Sequence, residues 1–148
     1  MRKAAVEKLR ILGYKVIVVV PNYNNKKLIV TDNYISIPYN RNQKFALILE
    51  HLGIIDDYLN NWVQNSFKIL KKIIKKGDIL FSSSGDDLGT VILGYKLKKY
   101  LNSKFIINFR DPIYKSKIYG KRLKIKKFDK PHFGRENLEK KLLHSADL

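Results

Sequence analysis

The chain of 148 residues has no cysteine. Disulfides and thiolate metal sites are therefore excluded, and the composition fits a reducing, cytoplasmic setting. Its three histidines, His51, His132 and His144, are far apart and lack ligand spacing, so no metal site is expected. Glycine and proline number eight and four and never cluster, which leaves no low-complexity linker and argues for a single domain spanning 1–148. No apolar run reaches the roughly 18 residues of a spanning helix. The charged start Met1-Arg2-Lys3 is not followed by a continuous apolar stretch, so it makes a poor signal peptide. Acidic residues are scarce, 13 against 30 basic ones, for a net charge of +17. Three readings of that imbalance compete: phosphate neutralisation on a nucleic acid, attraction to an anionic membrane surface, and solvated lysines in a lysine-rich composition. Apolar residues make up 45%, which excludes a disordered chain and supplies a core.

What is present is an alternation of helical and extended segments. Ala4 to Leu12 carries a helical stripe of Ala5, Val6, Leu9 and Leu12, stopped by Gly13. Val16 to Val20 is a β-branched run, of the kind buried on both faces of a parallel sheet. Leu28–Val30 and Tyr34–Pro38 read as short edge strands. Phe45 to Leu52 is a short helix ending at Gly53, and Asp56 can cap a long helix reaching Lys76. Asp78 to Phe81 is then a strand broken by Ser82-Ser83-Ser84-Gly85-Asp86. Asp87 can cap a helix from Leu88 to Leu101, and Lys104 to Phe109 is the next strand. Strand, helix and strand form a βαβ unit with a right-handed crossover. Ligands of such sheets sit beyond the carboxyl ends of the strands. Ser82–Asp87 and Arg110–Asp111 both fall there.

Those positions define the candidate site. Asp111, held extended by the proline after it, is a positioned acceptor that can orient an incoming hydroxyl or take its proton; equally, it can cap an Arg-Asp-Pro turn. Arg110 can pair with a phosphate or with Asp111. Ser83, Ser84, Gly85 and Asp86 can bind sugar hydroxyls through side chains and backbone amides, although Asp86 and Asp87 would repel a phosphate at the helix start. Two adjacent aspartates at a helix start do not converge on a cation. Gly85, Gly89 and Gly94 do not have dinucleotide-binding spacing. Between Lys115 and Lys130, Lys121, Arg122, Lys124, Lys126 and Lys127 are interleaved with Leu123, Ile125 and Phe128. This mixture suits a membrane interface, an RNA or a solvated loop.

The order Asp78-apolar-apolar-Phe81-Ser82-Ser83, a small loop, a glycine-bearing helix, an apolar strand and Phe109-Arg110-Asp111-Pro112 resembles the amino-terminal domain of family 4 glycosyltransferases of the GT-B fold. Leu138-Glu139 through Ala146-Asp147-Leu148 is similar to that family's segment before its last strands, and Ala4 to Pro21 to its first helix, turn and second strand. The chain departs from the family at Gly85-Asp86, where the family often has proline. The resemblance implies an α/β fold: half of a GT-B enzyme, a Rossmann-like parallel sheet with helices on both faces. On that pattern a first strand is missing between Val16–Val20 and Asp78–Phe81, so the domain reads as incomplete. It implies an acceptor-side role for Arg110 and Asp111, and sugar transfer from a nucleotide-sugar donor to a polysaccharide or glycolipid acceptor. The donor would be held by a carboxyl-terminal half that is missing or on another chain. The chain itself is then expected to hold no cofactor and to be inactive alone, cytoplasmic or peripheral on the inner face of the plasma membrane. The alternative is a small basic nucleic-acid-binding protein; no RNA-binding motif supports it.

Overall fold

The computed structural model describes residues 3–24, 27–39, 42–84, 87–109 and 135–147. They form a mixed α/β structure with small open sheets, divided into two compact units, Met1–Asn40 and Arg41–Leu148.

In the first unit, α1 (Lys3–Ile11) leads to β1 (Val18–Asn22), β2 (Ile29–Thr31) and β3 (Tyr34–Pro38). Gly13 ends α1 with φ +86°, where its N–H reaches the Arg10 carbonyl and the Tyr14 N–H the Leu9 carbonyl. That left-handed turn is open to glycine at no steric cost. The sheet order is β1-β3-β2, with β1 parallel and β2 antiparallel to β3. Ile35 and Ile37 on the central strand are 1% exposed. The β-branched run predicted at Val16–Val20 is displaced by two residues, and its side chains are half-buried. Among the described residues β1 pairs with β3 alone, so it has the burial of an edge strand, not that of a central one. Val18 donates its N–H toward β3, to Asn33. By the parallel alternation Val19 and Pro21 face the other edge, where proline's missing N–H is tolerated.

In the second unit, α2 (Gln43–His51) is capped by Asn42, whose Oδ1 accepts the Lys44 and Phe45 N–H groups at 3.0 and 3.3 Å. Then come α3 (Asn60–Leu70), β4 (Leu80–Ser84), α4 (Gly89–Leu101), β5 (Phe105–Phe109) and α5 (Arg135–His144). The expected βαβ unit is present: β4 and β5 are parallel, in register from Leu80↔Phe105 to Ser84↔Phe109, and α4 packs on both. Its core is built on Trp62, Val63 and Leu70 of α3, Val91 and Leu97 of α4, and Phe105 of β5. Three local expectations are corrected. α3 ends at Leu70, not Lys76, and the chain continues in turns to Gly77. Ser82, Ser83 and Ser84 do not break β4 but complete it. Asp57, not Asp56, accepts from the N-cap amide of α3, and it also reaches the N-cap amide of α4, as described next.

A candidate site at the carboxyl end of β4

β4 and α4 are joined by reciprocal hydrogen bonds. Ser82 Oγ donates to the Thr90 carbonyl at 2.9 Å, and Thr90 Oγ1 donates to the Ser83 carbonyl at 2.9 Å. Alternation along the strand puts Ser82 and Ser84 toward α4. Ser82 is 8% exposed and Ser84 is fully buried, while Ser83 is half-buried. The serines therefore let a polar strand end pack under a helix. Of the two predicted substrate-binding serines, Ser83 is the one with surface to offer. Gly85, Asp86, Arg110, Asp111, Lys121, Arg122, Lys124, Lys126 and Lys127 lie outside the described residues. The register pair Ser84↔Phe109 immediately precedes residues 85 and 110 in the chain.

Asp57 organises the end of β4 from a distance, and the sequence reading missed it. Its carboxylate is wholly buried. Oδ1 accepts the Leu59 N–H at 2.9 Å and Oδ2 the Leu88 N–H at 2.7 Å. Leu59 and Leu88 are the N-cap residues of α3 and α4, and neither has a cap bond from its own side chain. One carboxylate thus binds the N-cap amides of two helices, 31 residues apart for the longer bridge. Negative charge at two helix amino termini is also favoured by the helix dipoles. Glu50, 2% exposed, accepts the Tyr58 N–H at 3.2 Å beside it. The only sequence signal was the Asp56-Asp57 pair ahead of a helix; the cap partner on α4 has no local trace.

Asp147 does comparable work at the opposite end of β5. Its N–H donates to the Phe105 carbonyl at 2.8 Å, and its Oδ2 accepts the Phe105 N–H at 2.7 Å. Lys98 Nζ reaches Asp147 Oδ1 at 2.8 Å and the Ser145 carbonyl at 2.7 Å. The carboxylate stands in for a backbone carbonyl on the edge of β5, so the segment after α5 is bracketed to the sheet. The Lys98 ammonium, and next the Phe105 amide, hold its pKa below the ordinary carboxylate value. The sign follows: a lowered folded-state pKa contributes stability that is complete above the unfolded value, about 3.9, and is lost as pH falls through the lower folded value. Amide exchange at Phe105 is accordingly expected to lose protection on acidification below about pH 3.9. In Asp147→Asn that acid-dependent loss should vanish. An unchanged profile in the variant would assign the acid response to another group.

Among the described residues no group of three His, Cys, Asp or Glu side chains could hold a metal ion, and no helix is long and apolar enough to cross a membrane. Compared with family models, curated proteins and solved structures, the chain matches none.

Proposed function

We propose that this chain is the acceptor-side domain of a glycosyltransferase, receiving a polysaccharide or glycolipid acceptor at the carboxyl ends of β4 and β5. The observation that carries the reading is the parallel β4-α4-β5 unit, with Ser84 and Phe109 in register at its carboxyl end. A polar segment follows each strand there: Gly85-Asp86 after β4 and Arg110-Asp111 after β5. Open parallel α/β sheets bind ligands at such ends. On this reading the Rossmann-like half of a GT-B enzyme is the finer fold, Asp111 orients the acceptor hydroxyl, and Arg110 meets an acceptor phosphate. Ser83, Gly85 and Asp86 line the sugar's approach, with the buried Ser84 packed under α4. The nucleotide-sugar is held by another domain, so the chain alone transfers no sugar.

The test is a titration of isotope-labelled protein followed by amide chemical shifts. A short-chain polyprenyl diphosphate sugar should shift Ser83, Thr90, Arg110 and Asp111, whereas a uridine diphosphate sugar should shift none of them. Shifts confined to other regions, or a response to the nucleotide-sugar alone, would overturn the assignment. The second reading, nucleic-acid binding, draws on the charge of +17. It predicts strong salt-dependent binding to an RNA oligonucleotide with no response to the lipid-linked sugar.

A further inference from the structure

We infer that the outer face of the α3, α4 and α5 layer is a docking surface for an anionic phospholipid bilayer, distinct from the Lys121–Lys127 segment. The sequence scatters its lysines along the chain; the fold gathers some of them around aromatic rings. α4 packs between α3 and α5. At its junction with α3, the Phe67 and Tyr100 rings meet edge to face with centroids 5.7 Å apart. Lys71 Nζ lies 6.0 Å from both ring centroids. At the α5 side, Lys99 and Lys141 bring their ammonium groups to 5.2 and 5.9 Å from the Tyr95 ring. Three helices thus contribute to one alternation of cation and ring, and Tyr100 is 60% exposed.

Acids are few on these helices. α3 and α4 contain none, nor does the Lys71–Gly77 turn after α3. α5 carries Glu136 and Glu139, the latter 5% exposed, and Asp147 beyond it is bonded to Lys98. The basic groups of α3 and α4 are all lysine. A lysine ammonium is a point charge without the planar fork that reads base edges or clamps a single phosphate. What a row of such charges recognises is the diffuse negative potential of a lipid surface, at about the level where tyrosine rings settle among headgroups. The mixture of point charges and an exposed tyrosine ring on helices suits a bilayer, and binding to a nucleic acid is the competing outcome of the test. A glycolipid acceptor would be met at such a surface, which links this inference to the proposed function. Its test reads lipid binding alone, so the two fail separately.

The experiment is co-sedimentation of the whole chain with sucrose-loaded vesicles of phosphatidylcholine, with and without phosphatidylglycerol, at low salt. An RNA oligonucleotide is titrated in parallel. Binding is expected to require phosphatidylglycerol. Neutralising Lys71, Lys99 and Lys141 together to glutamine should weaken it about 100-fold, with the far-ultraviolet circular dichroism unchanged. The same neutralisation of Lys3, Lys8 and Lys15 should weaken it much less, and Tyr100→Ala should weaken it with no change of charge. Three results overturn the proposal: equal losses from the two lysine triples, which reduce the effect to net charge; full retention in the Lys71, Lys99 and Lys141 variant with loss only when Lys121, Arg122, Lys124, Lys126 and Lys127 are neutralised; or tighter binding to RNA than to anionic vesicles.

Discussion

Replacing Gly94 by alanine is expected to destabilise the protein by about 2–3 kcal/mol, although local propensity argues the other way. In a solvent-facing helix interior, Gly→Ala gains about 1 kcal/mol. Gly94, however, sits where α4 lies directly on the sheet. A Cβ there would run into Ser82 Oγ and the Phe105 ring, with Phe105 Cζ 2.7 Å away. Neither neighbour has room to retreat. Phe105 is fully buried at the start of β5, and Ser82 is held by its bond to the Thr90 carbonyl. Relief would require α4 to lift from the sheet, loosening the contacts of Val91 and Leu97 as well. Urea denaturation of Gly94→Ala should therefore show a lowered midpoint with the slope preserved. A raised midpoint would mean that the helix is not seated as closely as this geometry describes.

Asp57→Ala should lower stability by about 3 kcal/mol, the sum of two N-cap losses of about 1.5 kcal/mol each. The effect exceeds that of an ordinary cap because one carboxylate accepts from the N-cap amides of both α3 and α4. Alanine leaves both donors in a site that water does not reach, which is costlier than losing a cap at the surface. Asp57→Asn should fall between, since its Oδ1 can keep one bond while the amide nitrogen cannot accept the other. The neighbouring Asp56 is exposed, and Asp56→Ala should stay within about 0.5 kcal/mol of the parent protein. Equal effects at Asp56 and Asp57 by thermal or urea unfolding would remove the double cap. Against a total stability of about 5–15 kcal/mol, the Asp57 loss is large enough to populate unfolded chain on mild heating.

The two predictions mark where reading the sequence stopped. The sequence by itself determined the features written into consecutive residues. These were the helix and glycine stop of α1, the strand Tyr34–Pro38, the helix ending at Leu101, the strand ending at Phe109, and the βαβ order. All follow from hydrophobic period and local turn chemistry, to within a residue or two. The serine run was misread because serine in isolation signals a turn. Only a helix overhead, offering the Thr90 carbonyl to Ser82, makes those residues good strand. The long helix was overextended past Leu70 because Ile73 and Ile74 continue its stripe, and a stripe does not record where the packing ends.

For the candidate site, the sequence located the polar segments after β4 and β5, and the structure aligned the two strand ends through Ser84 and Phe109. Tertiary structure alone decided the rest. It chose Asp57 over Asp56 as the cap and set Asp147 against the edge of β5. It also turned Gly94 from a weak helix residue into a contact point and brought Lys71, Lys99 and Lys141 around shared rings. The reason is common to all four. Each depends on which distant segment arrives beside a residue, and capping, close packing and charge–ring contact act over a few ångströms of space, whatever the separation along the chain.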